Sequence, residues 1–181
     1  MEPVVERARE LAMVEHGGMH LYDAARTPMM EHVGEVAALV EAQGGSSEMI
    51  AAAWLHDVVE DTDVTLEQVG ERFGPVVRDL VEGLTDPEGF AGLPLAERKR
   101  LQAERIRGLN DDVKRIKLCD QLSNVERVLA RPPYDWSAEK RLTYVMGARQ
   151  IVLECRGLWP ELDERFEAAY ATALEELGGA P

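Results

Sequence analysis

Apolar residues recur at a spacing near 3.6 from one end of this chain to the other, and no segment alternates like a strand. Such a chain can bury its apolar stripes only by packing helix on helix, so an all-α fold is expected. The punctuation agrees. A first helix is expected over 3–16. Thr27 is placed to cap a second, with Pro28 in its first turn, running to about Gln43 and stopping at Gly44-Gly45. Ser46 or Ser47 caps a third, Ala-rich helix through about Glu60, which should be the most buried. Thr65-Leu66-Glu67-Gln68 has the form of a capping box for a short helix to Phe73. Gly74 ends it, and Pro75 starts another to about Leu84. Residues 85–94 read as a mobile loop. Helices follow at roughly 94–107, 112–130, 137–156 and 161–177.

With 181 residues, no internal repeat and no long linker, a single domain over 1–181 is expected. The net charge of −14 repels nucleic-acid backbones and anionic membranes, so neither is expected as a partner. The longest apolar run, Met49 to Leu55, is far too short to span a bilayer. The start carries no basic region followed by an apolar run. Cys119 and Cys155 form no CxxC pair. A cytoplasmic enzyme of a reducing compartment fits these features.

The chemistry concentrates in Trp54-Leu55-His56-Asp57-Val58-Val59-Glu60-Asp61-Thr62, where polar and acidic groups end an apolar helix. Burying a histidine beside a carboxylate is costly unless something pairs with both, and a divalent cation does so. Neighbours on a helix point about 100° apart, so His56 and Asp57 can converge on an ion only at its edge. Other helices must complete the shell. His32 faces inward with Val36 and Leu39 at helical spacing, and Asp120 breaks the otherwise apolar face of Ile116 to Asn124. Two imidazoles and two carboxylates suit Mn²⁺, Fe²⁺, Co²⁺ or Zn²⁺. Glu60, one turn beyond His56, and Asp61 beside it are placed to orient and deprotonate a water. Asn124, one turn beyond Asp120, can donate and accept toward a ribose or phosphate. Each of these residues alone would more often be a surface pair, a cap or a core histidine; together they favour the metal. His16 and His20 are one turn apart, but Gly17-Gly18 between them argues against a helix, and they are left as non-ligands.

The order His32, His56-Asp57, Asp120 resembles that of the HD superfamily. The strings His56 to Thr62, Val69-Gly70-Glu71-Arg72-Phe73-Gly74, Val81 to Asp86, Glu97 to Gln102 and Lys117 to Asn124 resemble the hydrolase domain of RelA/SpoT proteins, in its free-standing small alarmone hydrolase form. The similarity covers roughly residues 5–155. It implies an α-helical HD fold holding one Mn²⁺. The implied reaction removes the 3′-pyrophosphate from guanosine tetra- or pentaphosphate, a phosphorylated small-molecule nucleotide. Carried over by position, His32, His56, Asp57 and Asp120 match the metal ligands and Glu60 and Asp61 the water-activating pair. Asn124, Lys99, Lys140 and Tyr144 match substrate-facing positions. The family's basic segment before the first histidine is replaced here by Met19-His20-Leu21-Tyr22-Asp23-Ala24-Ala25-Arg26, with Arg26 its one arginine or lysine. Arg stacking on guanine has no equivalent in Leu or Met. Adenosine alarmones or other nucleotides are therefore alternative substrates, and an antitoxin-like partnership with an alarmone synthetase is an alternative role.

Overall fold

The structure is a computed structural model and describes residues 3–178. The expected all-α class is borne out: the described residues form α-helices and one 3-10 turn, with two isolated β-bridges and no strand. Among the described residues, no helix is long and apolar enough to cross a membrane. The described residues group into two compact units, one of residues 3–21 and 27–86, the other of residues 22–26 and 87–178.

In the first unit, α1 (Val4–His16), α2 (Met29–Ala42) and α6 (Pro75–Leu84) pack on α3 (Ser47–Leu55). The alanine content of α3 follows from this position: Ala51, Ala52, Ala53 and Leu55 are fully enclosed, and small side chains let three helices approach one. Gly34 of α2 serves the same contact, since a Cβ there would meet the Trp54 ring at 3.1 Å. Val33, Val36, Val40, Val77 and Val81 complete the core, each buried valine worth about 1.5–3 kcal/mol. Ser46 caps α3 by accepting the Met49 N–H at 3.2 Å. The capping box forms as expected on α5 (Leu66–Phe73), where Thr65 and Gln68 accept each other's backbone N–H. Gly74, at φ 90°, turns the chain directly into α6.

Two expectations need correction here. Thr27 is buried but does not cap α2; Pro28 holds that position with no side-chain cap. The Thr27 carbonyl instead accepts from the Leu21 N–H, and the His20–Pro28 bridge keeps the approach extended. The third helix does not continue to Glu60. It ends at Leu55, and a separate single turn, α4 (Val58–Asp61), follows.

In the second unit, the segment expected to be a loop at 85–94 contains the 3-10 turn Glu88–Phe90. Next come α7 (Leu95–Arg107), α8 (Asp111–Ala130), α9 (Ala138–Leu153) and α10 (Pro160–Leu177). Helix α9 packs on α7, α8 and α10, enclosing Leu118, Leu122, Val145, Ile151 and Phe166. Asn110 and Ser137 cap α8 and α9 by accepting the N–H three residues on.

Candidate metal centre

The break between α3 and α4 falls at His56 and Asp57, and it removes the geometric objection to neighbouring ligands. Asp57 sits at φ −101°, ψ −5°, outside a regular helix, so its carboxylate swings to the same side as the imidazole before it. His56 Nε2 lies 3.2 Å from Asp57 Oδ2. From α2, His32 enters on the Val36 and Val40 face, and its Nε2 lies 3.7 Å from the same oxygen. The two rings meet edge to face with centroids 5.2 Å apart. Both histidines are buried, and Asp57 is partly open to solvent.

The tautomer of His56 decides what this cluster can do. Its Nδ1 is 2.8 Å from the Ala53 carbonyl oxygen. A carbonyl only accepts, so Nδ1 carries the hydrogen, and in the neutral ring Nε2 is the atom able to ligate a cation. Nε2 points at a carboxylate oxygen 3.2 Å away, and a cation can bind both. The ligand atoms of His32, His56 and Asp57 all lie within 4.8 Å of one another. Metal–ligand bonds of about 2.0–2.2 Å put neighbouring ligands about 3 Å apart, so the three residues fit a transition-metal ion. The Ala53 carbonyl is the outer partner that holds the ring in place.

Glu60 and Asp61 lie on α4 and are exposed. Glu60 Oε1 accepts the Asp86 N–H at 2.7 Å, which orients its carboxylate. Desolvation, with Asp57 adding to it, raises the Asp61 carboxyl pKa to about 6. Thr62 closes the turn by donating to the Val58 carbonyl and accepting from Val64, so this acidic end has a defined shape.

His16, set aside from sequence as a non-ligand, lies beside this acidic turn. It ends α1 on the same face as Ala8 and Ala12, at a spacing of four, and is fully enclosed. That spacing was the available signal; the helix stops at His16, so the following glycines do not count against it. Its Nε2 lies 3.8 Å from Asp61 Oδ2, and burial lowers its pKa. His20 is exposed.

The remaining expected site residues belong to the second unit. Asp120 is buried on α8, where it accepts from Lys117 at 2.9 Å, Gln121 at 2.9 Å and Asn124 at 2.6 Å. Lys99 of α7 is buried, donates to Gln121 at 3.0 Å and lies 4.3 Å from the Tyr144 ring centroid. Tyr144 packs against Trp136, and Lys140 stands 4.6 Å over the Trp136 ring. Two cations thus bracket a pair of rings in the order Lys99, Tyr144, Trp136, Lys140. Lys117, Gln121 and Trp136 were not singled out from sequence; only Lys117, three residues before Asp120, carried a signal there. Arg26 is exposed on the 22–26 turn in the left-handed region, at φ 53°.

Gly147 of α9 makes the Lys99 position usable. A Cβ there would lie 2.6 Å from Lys99 Cβ and Cγ, and Cβ is fixed to the backbone and cannot swing away. Gly147→Ala should therefore destabilise the protein by about 1–3 kcal/mol, as overpacking does. The same variant should raise the KM for a phosphorylated substrate. An unchanged melting temperature would show that α7 and α9 separate without cost.

Residues 8–145 match the family described as HD domain. The human guanosine-3′,5′-bis(diphosphate) 3′-pyrophosphohydrolase is 36% identical over 162 residues, covering 88% of this chain and 89% of that protein. The Drosophila melanogaster protein of the same name is 35% identical over 163 residues, covering 89% of each. This chain belongs to the HD-domain family, in its RelA/SpoT branch. A solved structure described as a metazoan SpoT orthologue that hydrolyses ppGpp superposes with a TM-score of 0.87 at 31% identity, over 95% of this chain and 96% of that one. The HD match runs from α1 into α9 and so takes in His32, His56, Asp57 and Asp120. It also covers His16.

Proposed function

We propose that this chain is a Mn²⁺-dependent 3′-pyrophosphohydrolase of guanosine tetra- and pentaphosphate, with His32, His56, Asp57 and Asp120 as metal ligands. The activity rests on the named relatives, which match nearly their whole length. The metal rests on one observation: the ligand atoms of His32, His56 and Asp57 converge within 4.8 Å of one another. Asp120 is assigned as the fourth ligand by its place in the HD order. Matches to residues of both compact units support treating 1–181 as one hydrolase domain. Two free, buried cysteines agree with work in the cytoplasm. Burial raises both thiol pKa values, that of Cys155 to about 12, so neither is a nucleophile at neutral pH.

When bound, a divalent ion supplies Lewis acidity toward a phosphate oxygen and lowers the pKa of a water. The chain's own groups do the rest. Glu60 and Asp61 hold the water and accept its proton. The water oxygen bonds to the phosphorus attached at the 3′ oxygen, the 3′ O–P bond breaks, and pyrophosphate leaves as the 3′ oxygen takes a proton. Lys99, Lys140, Arg26, Tyr144 and Asn124 serve the phosphates and ribose. The test is a product assay on guanosine tetraphosphate with added Mn²⁺. Equimolar GDP and pyrophosphate are expected; no product from metal-loaded protein would refute the activity.

The segment Met19 to Arg26 favours a wider substrate range, because it offers one arginine and nothing that reads the guanine edge by buried hydrogen bonds. Guanosine and adenosine tetraphosphates should differ in kcat/KM by less than about tenfold, or ~1.4 kcal/mol. Leu21→Arg should lower KM for the guanosine substrate more than it changes kcat, since such a contact binds ground and transition states alike. A preference on the order of a thousandfold for guanosine would mean that other residues read the base.

A further inference from the structure

His16 has no part in the chemistry above, yet its setting is an unfavourable one for an idle side chain. The ring is 0% exposed at the end of α1. Among the described residues, neither Nδ1 nor Nε2 has a hydrogen-bond partner. A neutral imidazole offers one donor and one acceptor, and enclosing both unmet is disfavoured where Leu or Phe would fill the space without loss.

Helix α1 packs against α3 and α4, which sets the ring beside the acidic turn. Nε2 and Asp61 Oδ2 are 3.8 Å apart. A hydrogen bond needs about 2.7–3.2 Å, so a displacement of roughly 0.6–1 Å closes the gap. The separation is too short to seat a water between them, so the contact closes directly. Asp61 is the partner free to move: its side chain is 41% exposed on a single helical turn, whereas His16 is enclosed on all sides.

We propose that His16 is a positioning residue for Asp61, its Nε2–H donating to one carboxylate oxygen and leaving the other aimed at the attacking water. The inference rests on the water-activating role given to Asp61. It accounts for a buried imidazole that the HD ligand set does not use, and it makes Glu60 and Asp61 a matched pair. Glu60 is oriented by the Asp86 backbone, and Asp61 by His16.

The test compares His16→Asn, His16→Gln, Asp61→Asn and the His16→Asn/Asp61→Asn double variant, all loaded with Mn²⁺. A glutamine amide nitrogen reaches the place of Nε2, and an asparagine amide reaches only that of Nδ1. His16→Asn should lower kcat by about 10–100-fold at nearly constant KM, the scale of a misplaced proton acceptor. His16→Gln should recover most of that loss. In the Asp61→Asn background His16→Asn should cost less than about twofold, because partners that act through each other are non-additive. Equal losses in the Asn and Gln variants that follow their melting temperatures, or full additivity with Asp61→Asn, would overturn the proposal. A second readout needs no turnover: the ring ¹⁵N spectrum of His16 should report an Nε2–H tautomer whose Nε2 signal moves in Asp61→Asn. An Nδ1–H tautomer, or a spectrum indifferent to Asp61, would also overturn it. A wild-type protein that releases no pyrophosphate would count against the hydrolase activity alone, and the ring spectrum then decides the His16 contact.

Discussion

His56→Ala and Asp57→Ala should each abolish pyrophosphate release, by at least about 10⁴-fold, and remove the bound metal with it. The scale follows from what the ion supplies, since a metal that polarises phosphate and lowers the pKa of a water has no substitute among the side chains present. His56 and Asp57 meet at 3.2 Å, so loss of either leaves an incomplete shell. His32→Ala should do the same, because its Nε2 converges on the same carboxylate oxygen. Stability gives an independent reading. A ligand at one hundred times its Kd stabilises the folded state by about 2.7 kcal/mol. For a chain of this size that is roughly 5–10 °C of melting temperature. Mn²⁺ should raise the melting temperature of the wild type by this amount and leave the variants unmoved. Wild-type protein that retains no transition metal after Mn²⁺ incubation and desalting would end the metal reading.

Glu60→Gln and Asp61→Asn should retain the metal and lose about 10²–10⁴-fold in kcat, the usual contribution of a positioned acid–base group. The glutamine test is clean for a structural reason. Glu60 Oε1 accepts the Asp86 N–H, and an amide oxygen accepts it equally, so the charge is removed while the local fold stays. Asp61→Asn keeps the size of a carboxyl whose pKa is already raised by its surroundings, so it isolates proton acceptance from packing. Metal content measured in both variants separates the roles. Loss of metal from either would place that residue among the ligands.

Helix order, most caps and the polar constellation were legible in the residues alone. Periodicity sums many weak preferences over ten or more positions, so single exceptions do not erase it. The capping box at Thr65 and Gln68 is a local exchange of two hydrogen bonds and needs no distant partner. Thr27 shows the limit of that logic: its residue type suits a cap, but the chain approaching α2 is held by the His20–Pro28 bridge, which no local pattern records. The family was legible because His-Asp, Glu-Asp and Lys-Leu-Cys-Asp-Gln-Leu-Ser-Asn stand in a fixed order along the chain.

The sequence by itself therefore determined an all-α HD protein and the residue types of its site. Tertiary structure alone decided the break after Leu55, because whether a helix continues depends on one residue's φ and ψ, set by what packs around it. That break brings the side chains of adjacent His56 and Asp57 within 3.2 Å of each other. Tertiary structure also decided which nitrogen of His56 carries a hydrogen, since the Ala53 carbonyl accepts from Nδ1. It enclosed His16 beside Asp61 because α1 lies against α4, a contact between residues 45 positions apart that no helical period encodes.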